Sequence, residues 1–322
     1  DGVVRAFRNV CQHRGNKVVK TGTRSCKSLV CNFHGWAYDL EGRLIHVPDH
    51  DQFFDLDRSK YSLSPVAVDV WEGFIFINMD PNPAETLQEW MGELFDQLNG
   101  YQFQAMPRVA AYSATVNVNW KIFIDAFQEN YHNKFLHKHL IGDIVTSKDN
   151  PFAHPVSIRL YKRHRALSTY ANPYHKPTPA ESIAFGPAIV SRKMSDEALP
   201  MGINPERSLT WSHDGIQIFP NLYLGVSADW WVTYNFWPEA VDRTLFDVKI
   251  YMRRPKNAGE RIGQEFSKAV TRELLREDLS TLEDVQTGMS SGGITRMPLS
   301  DQEILVRHAL KVVEDFVRST PE

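Results

Sequence analysis

Two short segments near the start of the chain each pair one cysteine with one histidine. Cys11 and His13 lie two residues apart, Cys31 and His34 lie three apart, and 17 residues separate the two pairs. Thiolate sulfur and imidazole nitrogen are donors that proteins use to hold zinc and iron. Short β-rich runs flank both segments, so both pairs can lie at the tips of neighbouring loops. The pattern predicts one metal centre with two cysteine and two histidine ligands.

The order of the ligands separates two metal chemistries. Structural zinc sites usually take both cysteines from one segment and both histidines from another. Here each segment supplies one of each, which favours a [2Fe–2S] cluster with two cysteines on one iron and two histidines on the other. A zinc site and four unrelated buried residues are the alternatives. Cys26, between the segments, has no partner and is interpreted as a small buried apolar residue.

A second group of donors follows in the next part of the chain. Glu129, His132 and His137 lie within one stretch of nine residues. Two histidines and one carboxylate form the ligand set of non-haem Fe(II) oxygenases, which leaves positions for O₂ and substrate. His132 and His137 are five residues apart, about 140° around an ideal helix, so a helix here must loosen before His137. The third ligand is expected from far downstream.

The first group of donors lies in motifs that resemble those of a known family. They read Cys11-Gln12-His13-Arg14-Gly15 and Cys31-Asn32-Phe33-His34-Gly35-Trp36. Both resemble the Rieske motif in the large (α) subunit of the non-haem iron aromatic-ring-hydroxylating oxygenases. The flanking runs Arg5-Ala6-Phe7-Arg8-Asn9-Val10 and Tyr38-Asp39-Leu40-Glu41-Gly42 are similar to that family too. The resemblance covers essentially the whole chain.

The resemblance also implies the missing iron ligand. Residues 277–286 are similar to a late helix of the family in which an acidic residue, five before a Glu, binds iron. That position is Asp278, with Glu277 as the first alternative. The implied cofactors are therefore a Rieske [2Fe–2S] cluster and a mononuclear Fe(II) held by His132, His137 and Asp278.

Glu129 matches the acidic residue that, in the family, bridges a cluster histidine of one subunit and an iron-binding histidine of its neighbour. This implies electron transfer between subunits and a homotrimer, with or without a β subunit. The chain shows no Gly-rich nucleotide-binding loop. Electrons are therefore expected from NAD(P)H through a separate reductase, with or without a ferredoxin.

Two domains are predicted to position these donors. Residues 1–84 alternate short β-rich runs with turns and end at a Pro-rich breaker, which predicts an all-β Rieske domain that is incomplete at its N-terminus. Residues 85–322 mix strand and helix patterns, which predicts an α+β catalytic domain with helices on an antiparallel sheet. In the family this second domain takes the helix-grip (START-like) form.

Periodicity predicts the elements of the second domain. Helices are expected at 84–100, over most of 120–140, at 260–288, and after Ser300, where Glu303 completes a capping-box pattern. Residues 141–205 are predicted to be mostly loops. Strands are expected at 110–119, 215–219, 222–226, 230–237 and 245–252.

Composition excludes several classes of protein. The formal net charge of −3 and the pI near 6.5 leave no basic face for nucleic acid. The longest apolar runs, such as Phe74–Asn78, are far shorter than the ~18 residues of a membrane-spanning helix. Three cysteines cannot build a disulfide framework, which suits a reducing compartment. A cytoplasmic location is expected.

The expected function is a terminal oxygenase that uses O₂ to hydroxylate a small aromatic substrate, by mono-oxygenation or cis-dihydroxylation, in aromatic hydrocarbon catabolism. The alternatives are demethylation or mono-oxygenation of a quaternary amine or steroid, and a non-catalytic iron–sulfur electron carrier. An apolar cavity is expected to hold the substrate. The candidates for its wall are Phe127, Ile218, Phe219, Trp230 and Trp231.

Overall fold

The computed structural model describes residues 1–20, 22, 25–185 and 199–319. The chain divides into two compact units, Asp1–Trp90 and Met91–Glu322. The boundary predicted after residue 84 lies a few residues earlier than this division. No helix in the described ranges is both long and apolar enough to cross a membrane.

The first unit is built from short antiparallel strands, as expected for the all-β domain. They form two three-stranded sheets, in the orders β1-β5-β6 and β2-β3-β4. A small core of the second sheet packs Tyr38 and Leu44 against Cys11, Cys31 and Trp36. The strands are β1 (Ala6–Phe7), β2 (Leu29–Val30), β3 (Ala37–Tyr38), β4 (Leu44–His46), β5 (Pro65–Trp71) and β6 (Phe74–Asn78).

The second unit is organised around one antiparallel sheet of seven strands. Their order is β7-β13-β12-β11-β10-β9-β8, and every neighbouring pair is antiparallel. From β8 to β13, strands that follow each other in the sequence are also neighbours in the sheet. The first strand, β7, lies at the opposite edge from β8 and pairs with the last strand, β13. The strands are β7 (Arg108–Val116), β8 (Ser157–Leu160), β9 (Arg165–Tyr170), β10 (Trp211–Ile218), β11 (Leu222–Val226), β12 (Trp230–Ala240) and β13 (Arg243–Met252).

One long helix packs on a face of this sheet and forms the predicted α+β arrangement. Leu275, Leu279 and Leu282 of this helix, α6, recur at helical spacing and pack in the main core. Asp278 falls inside the same stripe and is 3% exposed. The helices are α1 (Leu87–Met91), α2 (Glu93–Gln97), α3 (Trp120–Asp125), α4 (Gly142–Val145), α5 (Pro179–Phe185), α6 (Ala258–Ser290) and α7 (Ile304–Ser319).

The structure corrects three of the predicted elements. The helix expected over 120–140 ends at Asp125. The helix expected at 84–100 is broken into α1 and α2 at Gly92, whose φ of 57° lies in the left-handed region. The loops expected over 141–205 contain β8, whose apolar residues are exposed, and β9, whose buried polar residues hid the apolar pattern of a strand. Residues 186–198 lie outside the described residues. The late helix and the capping box at Ser300 are confirmed.

Candidate metal centres

The two Cys–His segments fold into turns with the same backbone pattern. In one, the Cys11 N–H donates to the Asn16 carbonyl and the Gly15 N–H donates back to the Cys11 carbonyl. In the other, Cys31 and Gly35 take the corresponding positions. Both glycines have φ near +75°, which residues with a Cβ rarely adopt. The turns therefore present their ligands in matched geometry.

The four side chains meet as a cysteine pair and a histidine pair. The Cys11 and Cys31 thiols are within hydrogen-bonding reach, and the rings of His13 and His34 have centroids 4.6 Å apart. Among the described residues, no three of these donors lie within 4.8 Å of one another. One tetrahedral ion needs all four ligands close together, so the spacing disfavours zinc and suits a two-iron cluster.

The donor atoms of this site are buried in a way that suits a bound cluster. Cys11 and Cys31 are 3% and 1% exposed, and Nδ1 of His13 is buried with no hydrogen-bond partner. A buried polar atom without a partner is costly, and a metal bond to that nitrogen would remove the cost. Cys26 is exposed and does not join the site, which corrects its interpretation as a buried residue.

The sulfurs of Cys11 and Cys31 both accept hydrogen bonds. The Gln12 N–H donates to the Tyr38 hydroxyl at 3.0 Å, which leaves the hydroxyl proton to donate to Cys11 Sγ at 3.3 Å. Asn16 Nδ2 donates to Cys31 Sγ at 3.6 Å. Burial acts to raise the pKa of Cys31, but hydrogen bonds, the largest from the Phe33 N–H, outweigh it and lower the pKa. The protein therefore stabilises negative charge on the sulfurs.

The second group of donors closes into a compact triad. His137 Nε2 lies 3.0 Å from Asp278 Oδ1, and His132 Nε2 lies 3.7 Å from the same oxygen. Ligands about 2.1 Å from an ion and at right angles lie roughly 3 Å apart. Among the described residues, this is the only set of three such donors within 4.8 Å of one another. The geometry suits one ion with open coordination positions.

The surroundings of Asp278 indicate whether the three side chains fit a bound cation. Its side chain is 4% exposed, and Oδ1 accepts no well-formed hydrogen bond, although the Nε2 atoms of His137 and His132 lie 3.0 and 3.7 Å away. With both imidazoles neutral, an ionised carboxylate in such a buried site has no compensating positive charge, which costs several kcal/mol. A bound Fe(II) would supply the missing opposite charge. The residues present therefore fit the ion.

Loss of helical structure brings the two histidines together. After α3 ends at Asp125, the chain turns and forms a 3₁₀ helix over Tyr131–Lys134. Glu129 caps this helix, since its Oε2 accepts from the Tyr131 and His132 backbone N–H groups. His137 follows in a turn beyond the helix. The expected loosening therefore occurs, and it begins before His132 as well as before His137.

Each histidine of the triad has a carboxylate behind it. Glu129 Oε1 bonds to Nδ1 of His132, and Glu277 Oε2 lies 2.7 Å from Nδ1 of His137. Both Nε2 atoms are left to face the ion, an arrangement common to metal-binding histidines. Burial acts to lower the pKa of His137, but Asp278 and Glu277 outweigh it and raise the pKa. Glu277 therefore lies behind a ligand and does not face the ion.

Strand registers decide which predicted pocket residues face α6. Tyr223 pairs with Tyr234 and Gly225 with Val232, so these residues share the face on which Leu275 and Leu282 of α6 pack. Phe127 packs on the same core, with its ring 5.2 Å from that of Tyr234. Trp230 lies two residues before Val232 and borders this core. We call Phe127, Tyr223, Trp230 and Tyr234 the aromatic cluster; Phe123, Phe236 and Phe246 pack in the same core and continue it away from these four.

Three of the predicted pocket residues lie elsewhere. Trp231 points to the other face, where it stacks on Tyr251 at 3.6 Å. Ile218 alternates with Gln217, which pairs with Tyr223, and so also points to the other face. Phe219 follows the end of β10 and stacks on Phe316 of α7. An apolar residue in a strand with both faces buried carries no signal of which side it takes.

Two known protein families match separate parts of the chain. Residues 1–68 match the Rieske [2Fe–2S] domain, and residues 103–319 match the catalytic domain of the ring-hydroxylating α subunit. The glycine betaine monooxygenase oxygenase subunit of Chromohalobacter salexigens is 26% identical over 304 residues, which cover 90% of this chain and 67% of that protein. The carnitine monooxygenase oxygenase subunit of Escherichia coli is 33% identical over 138 residues, 41% of this chain and 36% of that protein.

Solved structures of low sequence identity share the fold. A quaternary ammonium Rieske monooxygenase in complex with an inhibitor has a TM-score of 0.73 at 21% identity, covering 97% of this chain and 78% of that chain. Naphthalene 1,2-dioxygenase from Rhodococcus bound to indole has a TM-score of 0.70 at 20% identity, covering 98% and 82%. With the two donor groups described above, these matches show that the chain belongs to the Rieske oxygenases, as an α subunit with a [2Fe–2S] domain and a mononuclear iron domain.

Proposed function

We propose that this oxidoreductase is the oxygenase component of a monooxygenase that acts on a small quaternary ammonium compound. The aromatic cluster beside the triad is the observation that carries this proposal. The two relatives compared above are named for glycine betaine and carnitine. The aromatic substrate and dihydroxylation expected from the sequence find no support among these relatives.

The aromatic cluster has the chemistry that recognises such a cation. The rings of Tyr223 and Tyr234 stack at 5.2 Å, and Phe127 lies within 6.1 Å of both. Both tyrosines are neutral near pH 7, and burial raises the pKa of each further, so both offer the negative faces of uncharged rings. A quaternary ammonium group over such faces gains about 0.5–2 kcal/mol and needs no hydrogen bond.

The charges around the triad favour a cation as well. Asp278 faces the ion position, while Glu277 and Glu129 lie behind the two histidines. Three carboxylates and one Fe(II) leave a formal charge of about −1 when both histidines are neutral. The carboxylate of Asp278 raises the pKa of Tyr234 further, after the larger effects of burial and Tyr223. A cation beside Tyr234 would therefore be attracted by the same negative charge.

We further propose that Cys11, His13, Cys31 and His34 hold the cluster, and that His132, His137 and Asp278 hold the iron. When bound, the cluster passes single electrons and the ferrous ion activates O₂. Glu129 and Glu277 hold the two imidazoles so that each Nε2 points to the ion. The aromatic cluster holds the substrate and excludes water.

Members of the family generally need a reductase and form multimers. We propose a ring of three subunits in which Glu129 also accepts a hydrogen bond from a cluster histidine of the neighbour. Both Glu129 oxygens already hold partners on their own chain, and the side chain is still 12% exposed. Phe33, next to His34, and Tyr131, next to His132, are about half exposed. Apolar groups beside both centres suit a docking contact.

Turnover with a matched pair of substrates tests the proposed substrate class. Glycine betaine, carnitine and γ-butyrobetaine are supplied with O₂ and a reductase, and each is compared with the isostere in which carbon replaces the quaternary nitrogen. The charged compound is expected to bind about tenfold more tightly, since ~1.4 kcal/mol of cation–π attraction is a factor of ten. Tyr234→Phe should keep this preference and Tyr234→Leu should lose it. Equal binding of both compounds, or turnover of aromatic acids alone, contradicts the proposal.

A further inference from the structure

A buried chain of hydrogen bonds joins the sheet to the segment that carries the iron ligands. Gln128 is fully buried, and Arg165 of β9 is 2% exposed. Gln128 Nε2 donates to Asp125 Oδ1 at 2.9 Å, and Gln128 Oε1 accepts from Arg165 Nε. Arg165 Nη1 also donates to the Arg163 carbonyl at 3.3 Å. Buried polar groups are costly without partners, so the chain of contacts favours one arrangement.

The position of this chain of contacts matters because the backbone there is irregular. Residues 126–130 lie between the end of α3 and the start of the 3₁₀ helix. Two consecutive side chains anchor them, Phe127 in the aromatic cluster and Gln128 on Arg165. The next residue, Glu129, caps the 3₁₀ helix and holds the ring of His132. A displacement of Gln128 would therefore also displace Glu129 and the ring of His132.

The charges at the two ends of this chain balance each other. Burial lowers the pKa of Arg165 to about 10, and Asp125 opposes that effect. Burial raises the pKa of Asp125 to about 7, against the opposing effects of Arg165 and Lys121. Removal of either charged group would leave the other buried without its counter-charge. Gln128 is neutral, so it can be replaced without that consequence.

We propose that Gln128 and Arg165 are positioning residues for the mononuclear iron. They fix the irregular segment so that Glu129 and His132 keep the orientation that the ion requires. This role rests on the metal centre and not on the identity of the substrate. The iron ligands would then be held in place by a strand of the sheet, β9, as well as by the two carboxylates behind the histidines.

Iron affinity in the Gln128→Met variant of the full chain tests this role. Methionine keeps the size of the side chain and removes both hydrogen bonds. The dissociation constant for Fe(II) is expected to rise 10- to 100-fold, the range found when outer partners of ligands are removed. The electron paramagnetic resonance of the ferrous site with nitric oxide as a probe should change shape, while the cluster spectrum should not. Neither readout needs a substrate or turnover.

Gln264→Met is the matched control. Gln264 lies on α6, 14 residues or about 21 Å of helix before Asp278, and its Nε2 donates to the Arg253 carbonyl at 2.6 Å. The Gln264→Met variant loses a similar hydrogen bond that is not part of the chain of contacts around Gln128. Its iron affinity and nitric oxide spectrum are expected to match those of the unmodified protein. A variant that only lowers stability should shift the melting temperature and leave both readouts unchanged.

Arg165→Lys, which keeps the charge opposite Asp125 but removes the Nε donor to Gln128, and the double variant complete the test. Both single changes remove the same Arg165–Gln128 bond, so the double variant should lose little more iron affinity than the weaker-binding single variant. Wild-type iron affinity and an unchanged spectrum in Gln128→Met would overturn the proposal, as would fully additive losses. If Gln128→Met does not fold, Gln128→Asn takes its place with the same readouts. It is one methylene shorter and cannot reach both partners.

Discussion

The two metal centres of this chain are assembled in opposite ways. The proposed cluster ligands all come from two turns of the same backbone pattern, only 17 residues apart. The proposed iron site joins an irregular segment around His132 and His137 to Asp278, about 140 residues later on a helix. The first depends on local turn geometry, and the second depends on how α6 packs against the sheet.

This difference shows where each site is vulnerable. A turn with glycine at a positive φ keeps its shape from its own backbone bonds, so the cluster ligands need little support from elsewhere. The iron ligands sit on segments that other residues hold in place, among them Glu129, Glu277 and Gln128. Changes far along the chain should therefore disturb the iron site more easily than the cluster site.

Removal of the long-range ligand should have the largest effect. Asp278→Ala is expected to lose the mononuclear iron and reduce turnover at least a thousandfold, because one of three protein ligands and the main negative charge are removed. The Rieske absorption should remain. Metal analysis should show about two irons per chain instead of three. Full iron occupancy in this variant would place the third ligand elsewhere.

In the proposed ring of subunits Glu129 bridges the two centres, so its replacement should separate metal binding from electron transfer. Glu129→Gln keeps the size but loses the charge that orders the imidazole of His132. Iron affinity should fall about tenfold, as for Glu277, but with Fe(II) in excess both metals should be bound while electron transfer from cluster to iron slows by about 100-fold or more. Rapid mixing of the reduced protein with O₂ and substrate measures that rate. Normal transfer in a monomeric enzyme would rule out the proposed bridge.

Glu277→Gln should weaken iron binding by about tenfold at high pH and shift its dependence on pH. Fe(II) needs neutral His137, and the pKa of this histidine is raised without the metal, so affinity should fall as the pH drops through that pKa. Glutamine removes one of the carboxylates that raise the pKa, and the fall should therefore occur at lower pH. Iron titrations from pH 5 to 8 check this. An unchanged midpoint would contradict it, and Glu273→Gln, an exposed residue of α6, is the control.

Tyr38→Phe should have the smallest effect and confine it to the cluster. The hydroxyl that donates to Cys11 Sγ stabilises the added charge of the reduced state. A hydrogen bond of about 1 kcal/mol corresponds to roughly 40 mV for one electron, so the reduction potential should fall by about that amount. Protein-film voltammetry measures it. Tyr61→Phe, a more exposed ring near Trp36, should leave the potential unchanged.

Sequence alone was informative where the chemistry is local. The spacing of Cys11, His13, Cys31 and His34 suffices to predict a cluster, because each pair lies in one turn and the ligand order distinguishes iron–sulfur from zinc. The helical period also predicted α6 closely, since a long amphipathic helix carries a repeated signal. Asp278 could be assigned only through the resemblance, since no spacing connects it to His132.

Tertiary structure decided what depends on distant contacts. The helix expected through Glu129 ends at Asp125, because side-chain caps and buried contacts there outweigh helical propensity. Pairing between strands, and not composition, placed Tyr223 and Tyr234 beside α6 and turned Ile218 and Trp231 away. An apolar residue type predicts that a strand residue is buried, but only the pairing register decides which face of the sheet that residue takes.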